Sequence, residues 1–127
     1  MASADVMTAL TYTPAPLANP HFSAGLFETR AAVAASAIDL NTASFFTKTA
    51  AAALTWTAAN VPATGTVASF ILELTNGGAF TQTWFPNTRW AGGTAPVLTA
   101  AGRDVLGFYT TDAGANWNGL MLGKGMA

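Results

Sequence analysis

Six carboxylates, one imidazole and four indoles are the groups of this 127-residue chain that have chemistry to offer. There is no Cys, so no thiol acts as a nucleophile and no disulfide staples the fold. His21 stands alone in Asn19-Pro20-His21-Phe22, so one chain cannot build a His-based metal cluster, and it reads as a surface or interface group. Asp5, Glu28, Asp39, Glu73, Asp104 and Asp112 are scattered, and a glycosidase dyad would have to assemble across the fold. Glu73 is expected on the polar face of a strand, and Asp104 in a strand-entry turn, ion-paired with Arg103. Asp112, Asn116 and Asn118 loosely resemble a calcium loop. They lack the D-x-N-x-N-G order with a distant Glu, and Asx residues favour such turns without an ion. Gly123-Lys124-Gly125 is short of a phosphate loop, which needs G-x-x-x-x-G-K-[ST] and a following helix. No catalytic residue, metal or cofactor is expected.

Trp56, Trp84, Trp90 and Trp117 carry the remaining option. An indole face can stack on a sugar, and a neutral Thr- and Asn-rich surround suits hydroxyl groups. Arg89 and Trp90, ahead of Gly92-Gly93, form the candidate exposed binding loop. The plainer expectation is that the four indoles fill a core or a subunit contact, which aromatics dominate.

Composition constrains the partners. Charged residues make up 9% of the chain, against roughly 25% in ordinary soluble domains, while hydrophobic residues are 51%. A surface so poor in charge is expected to be buried against neighbours. The five cations are dispersed and the net charge is -1, which argues against nucleic-acid binding. No apolar run reaches the roughly 18 residues of a membrane span, and the N-terminus lacks the pattern of a secretory signal.

Two regions follow. Residues 1–35 hold Pro14, Pro16 and Pro20 and read as an extended arm, with Met7–Thr13 as one short strand. The arm's large apolar groups fit a neighbouring subunit or a fold-back onto the arm's own domain. Tyr12, Leu17, Phe22 and Phe27 are its candidate contacts with neighbours. The Ala content of Phe27–Ala35 predicts a short helix.

Residues 36–127 read as β-structure. Ser36–Asn41, Ser44–Thr49 and Ala53–Thr57 are expected strands. Val67–Thr75 alternates clearly, with Phe70, Leu72 and Leu74 on one face. Asn76-Gly77-Gly78 predicts a hairpin whose return strand is Ala79–Phe85. Val97–Thr99 is a further short strand, Asp104–Thr111 a central one, and Trp117–Leu122 the last. About seven or eight strands at regular spacing predict an all-β antiparallel β-sandwich, jelly-roll-like, carrying the extended N-terminal arm.

The stretches Asn41–Thr49, Val61–Thr66, Phe70–Gly78, Trp84–Pro86, Arg89–Thr99 and Asp104–Gly114, with Trp117, resemble a module at the C-terminal ends of tailed-bacteriophage virion proteins of tail-fibre, collar and capsid-decoration type. The resemblance spans roughly residues 38–123. It implies a compact β-sandwich that assembles as a homotrimer, with no enzymatic activity, on the surface of the phage particle. With only a short arm upstream, a capsid decoration or cement protein bound to the major capsid protein is the first expectation. A short tail fibre or spike that binds host-surface glycan is the alternative.

Overall fold

The computed structural model describes residues 27–127. The expected strand Met7–Thr13, His21 and the arm residues Tyr12, Leu17 and Phe22 lie outside the described residues. The described chain is all-β. Its strands are β1 (Arg30–Ala32), β2 (Ala37–Asp39), β3 (Phe45–Thr49), β4 (Leu54–Thr55), β5 (Thr57–Ala59), β6 (Ala68–Thr75), β7 (Gln82–Thr83), β8 (Thr88–Arg89), β9 (Arg103–Thr110) and β10 (Trp117–Met126).

One main sheet runs in the order β1-β3-β6-β9-β10-β8. It is mixed, which corrects the antiparallel, jelly-roll-like expectation. β1 pairs β3, β3 pairs β6, and β8 pairs β10 in parallel, while β9 runs antiparallel between β6 and β10. Parallel neighbours need crossovers rather than tight turns. Here the crossovers become the cover of the sheet. The β1–β3 link carries β2, the β3–β6 link carries β4 and β5, and the long β6–β9 link carries β7 and β8. Two short parallel ladders, β2–β5 and β4–β7, form within these links.

Register explains which face the cover meets. Phe46 faces Leu72 and Leu72 faces Leu106, while Phe70 faces Phe108. All five are buried, and Ile38, Trp56 and Phe85 from the links join them in one core. Removing each such side chain from water stabilises the fold by roughly 1.5–3 kcal/mol. The alternation expected for β6 is present, and β9 is central, as its two apolar faces predicted.

Three local expectations are corrected. Phe27–Ala35 contains strand β1 instead of a helix, and Val33 is buried in the core, so the β-domain begins before residue 36. Pairing with Phe45–Thr47 outweighs the helical preference of a few alanines. Residues 97–99 are irregular. The Asn76-Gly77-Gly78 turn makes no hairpin. Asn76 adopts the left-handed conformation and leads into a 3-10 turn, Gly77–Ala79, and β7 pairs with β4 rather than with β6. The turn is tied instead to the entry of β9, with Asn76 N–H donating to Gly102 O and Gly78 N–H to Thr99 O. A Cβ on Gly78 would lie 2.2 Å from the Leu98 carbonyl oxygen, which only a shift of backbone could relieve. Gly78→Ala is therefore expected to cost about 2–3 kcal/mol in urea unfolding. An unchanged midpoint would mean that the 97–99 segment yields freely.

Candidate functional site

The carboxylates are occupied by the fold. Asp104 projects from β9 into the buried face, where Thr99 N–H and Thr99 Oγ1 donate to it at 2.7 Å each and Gly125 N–H at 2.9 Å. Its expected ion pair with Arg103 is not formed. Adjacent strand residues point to opposite faces, and Arg103 reaches Glu73 at 3.4 Å on the other side. Burial pushes the Asp104 carboxyl up, but the bonds from Thr99 and Gly125, with the Lys124 charge, outweigh it and hold the group below its ordinary value. A carboxylate on a strand face that continues through Leu106 and Phe108 was the sequence signal for this clamp.

Asp112 closes the β9–β10 turn. It accepts Asn116 N–H at 3.0 Å and Asn116 Nδ2 at 2.8 Å, and the buried Thr110 hydroxyl lies 2.9 Å away. The Asn116 side chain, the Asn116 N–H and Thr110 together hold the Asp112 carboxyl down to about 2. Asn118 sits in β10, paired with Tyr109 and Arg89, so the resemblance to a calcium loop dissolves into an Asx turn and a strand. Asp39 is held low by Asn60 and by Asn41 N–H. Among the described residues, no three His, Asp or Glu side chains gather where a metal ion could be held.

The indoles are mostly structural. Trp56 and Trp117 are fully buried, and Trp84 stacks on Trp56 at 6.1 Å. Trp90 is half-buried, which corrects the exposed placement expected for it. Its ring meets Trp84 at 5.4 Å and Phe108 at 5.6 Å. It lies so close over Gly119 that a Cβ there would come within 2.5 Å of the ring. Arg89 beside it is exposed. What remains accessible of Trp90 lines a recess of about 380 Å³ with Pro96, Thr94 and Met121.

Two surfaces are left for recognition. The first is the β10 side. β10 is ten residues long, but β8 pairs with Trp117 and Asn118 alone, so its outer edge from Gly119 onward has no strand beside it among the described residues. Leu120, Leu122 and Met126 are exposed along this strand, and Val97 is 78% exposed next to Pro96 of the recess. Lys124 and the register shifts after Met121 and Gly123 spoil the far end of the edge for pairing. The usable edge is therefore Gly119–Leu122. The second surface is the outer face of the sheet, where a shallow groove of about 310 Å³ crosses Ile71, Gly107, Tyr109 and Leu120. Sequence reasoning missed both, because neither edges nor uncovered faces are visible before the pairing order is known.

The Asp104 clamp has a pH signature. A carboxyl with a depressed folded pKa stabilises the fold above its unfolded pKa, near 3.8, and this contribution is lost as pH falls through the folded value. Asp39 and Asp112 act in the same direction. Asp104→Asn is expected to lose about 1.5–3 kcal/mol at neutral pH and to show a shallower fall in stability below pH 4 than the wild type. Parallel pH curves from chemical denaturation would remove Asp104 from this role.

Comparison with protein-family models, with curated protein sequences and with solved structures finds no match to the chain.

Proposed function

We propose that this protein is a non-enzymatic virion structural protein of a tailed bacteriophage, a capsid decoration or cement protein that binds the head surface as a homotrimer. The observation that carries the reading is the β10 side, a short unpaired strand edge bordered by exposed Leu120, Leu122 and Val97. In a chain with 9% charged residues, little else keeps that side wet. An open edge offers backbone donors and acceptors to another strand, and the flanking apolar groups add about 1 kcal/mol each when covered. The phage-module resemblance of residues 38–123 supplies the trimer and the particle. Tyr12, Leu17, Phe22 and Phe27 of the arm are proposed to contact neighbouring virion subunits, with the major capsid protein first among them, and Phe27 is exposed. Contacts formed only on the assembled head would then stabilise it by mass action.

A second reading is a short tail-fibre or spike tip that binds host glycan. It rests on the recess in which the accessible part of Trp90 meets Thr94 and Pro96. Thr94→Arg would fill that recess from an exposed position and should abolish binding to cells if glycan is held there.

The assembly reading makes two measurable predictions. Light scattering after gel filtration should give a multiple of 13.0 kDa for the wild type and a monomer for the Leu122→Lys, Val97→Glu variant, with unchanged circular dichroism. A wild-type monomer at all concentrations would reject self-assembly through this side. Quantitative mass spectrometry of virions should give hundreds of copies in fixed ratio to the major capsid protein. Tens of copies or fewer would move the protein to the tail and favour the glycan reading.

A further inference from the structure

Two places in the chain put glycine directly after asparagine, Asn76-Gly77 and Asn118-Gly119. Packing requires both glycines. A Cβ on Gly77 would lie 2.6 Å from Leu74 Cδ2, and one on Gly119 would lie 2.5 Å from the Trp90 ring. The pairing with asparagine carries a chemical liability. Without a side chain beside it, the glycine amide nitrogen is open to attack the preceding asparagine Cγ. The N–H proton passes to solvent, the side-chain nitrogen leaves as ammonia, and a succinimide ring closes. Water then opens the ring at either carbonyl, giving aspartate or isoaspartate. In balance, an amide and water become a carboxylic acid and ammonia.

The folded backbone opposes ring closure at both sites. Asn76 has φ 59° and ψ 26°. At that ψ the Gly77 nitrogen lies nearly opposite the Asn76 Cβ across the Cα–C bond, far from Cγ. Closure requires a large rotation of ψ, and the junction with residues 99–102 prevents it. Asn76 N–H donates to Gly102 O at 2.7 Å, Gly102 N–H to Asn76 Oδ1 at 3.1 Å, and Gly78 N–H to Thr99 O at 3.0 Å. Asn118 is held instead by the sheet. It lies in extended β10, opposite Tyr109 of β9 and Arg89 of β8.

The two guards differ in extent. The Asn76 junction joins a 3-10 turn to an irregular segment, and Gly78, Ala79, Ala100 and Ala101 around it are exposed. Segments held by a few bonds over little buried surface open at lower free energy than central strands. Releasing Asn118-Gly119 means parting β10 from β9 beside the fully buried Trp117, and lifting Trp90 from Phe108. That takes the core apart.

We propose that Asn76-Gly77 is a site of slow self-modification, exposed by local opening of the 99–102 junction while the sheet stays folded. Asn118-Gly119 is shielded until the sheet itself unfolds. This inference is independent of the virion reading. Isoaspartate at position 76 would add a methylene to the backbone and break the junction for good, so a folded population divides with age.

The test is incubation of the full chain at mildly alkaline pH, with both sites followed by peptide-mapping mass spectrometry that resolves isoaspartate. The chain unfolded in concentrated urea supplies the intrinsic rate of each site. Relative to those rates, Asn76 of the folded protein should react at least about 10-fold faster than Asn118. Its rate should change little in urea below the unfolding transition, because local opening exposes little surface, whereas the rate at Asn118 should climb. Equal protection of the two sites would overturn the proposal, as would a urea dependence at Asn76 as steep as at Asn118. So would an Asn76 left intact over an incubation roughly 100 times as long as the unfolded chain needs.

Discussion

The stack of Phe70 on Phe108 is the contact on which the remaining structure is hung. The two residues sit opposite each other on β6 and β9, with ring centroids 5.3 Å apart. Phe46 meets Phe70 edge-on from β3, and Trp117 meets it from β10. The cover is fastened to the same pair. Phe85 packs on both rings at 5.6 and 5.1 Å, and Trp84 and Trp90 pack on Phe108. Trp56, from the earlier link, reaches the pair through Phe85. Well-oriented aromatic pairs add about 0.5–1.5 kcal/mol each beyond the area they bury. In a 127-residue chain without disulfides, such contacts carry much of what holds three long links to one sheet.

Concentrating the large rings on one side has a consequence for the other. The aromatic face of β6 and β9 is saturated, while the outer face has Ile71, Gly107 and Val105 at the corresponding positions, with Tyr109 and Leu120 towards the β10 side. That face carries one apolar row, from Phe45 through Ile71 and Gly107 to Leu120, beside polar rows that hold Ser69, Glu73, Thr75 and Arg103, and its groove is shallow. Its neighbour, the β10 edge, offers backbone hydrogen bonds and a few protruding side chains. Shallow apolar surface and open edge are suited to chain segments and other subunits, which bury wide areas, more than to compact substrates, which need concave sites. The low charge of the sequence and the geometry of its surface both support the assembly reading proposed above.

What the sequence disclosed was local. The alternation of β6, the centrality of β9 and the Asx character of the Asp112 turn follow from side-chain period and turn chemistry alone. Pairing order was hidden, because a turn signal says that the chain bends but not which strand it meets next. Asn76-Gly77-Gly78 is a hairpin signal by composition. In the fold its left-handed Asn and its close glycine serve a tight junction with residues 98–102. The alanines of Phe27–Ala35 favour a helix only weakly, and three backbone positions beside β3 reverse that preference. Trp90 looked free because glycines follow it. The space it fills is created by Gly119, 29 positions later, and only the register of β10 brings the two together.

The chemistry of the carboxylates bears on enzyme and assembly readings alike. A general acid or base works best with a pKa near the operating pH, usually raised for a carboxyl by burial or by a second negative charge. Asp39, Asp104 and Asp112 are displaced the opposite way, by donors from Asn60, Thr99 and Asn116. Each bond that lowers a pKa also fixes a piece of backbone. Asp39 holds the β2 exit, Asp104 holds both the 97–99 segment and the tail of β10, and Asp112 holds the β9–β10 turn. Such groups stabilise loops by staying ionised and fully bonded, which makes them poor proton carriers at neutral pH. Glu73 is joined to Arg103 across the outer rim, and Glu28 lines the groove where the chain enters. The few charges of this protein are thus spent mainly on holding irregular links in place, so that the apolar edge and face beside them keep a fixed shape for whatever covers them.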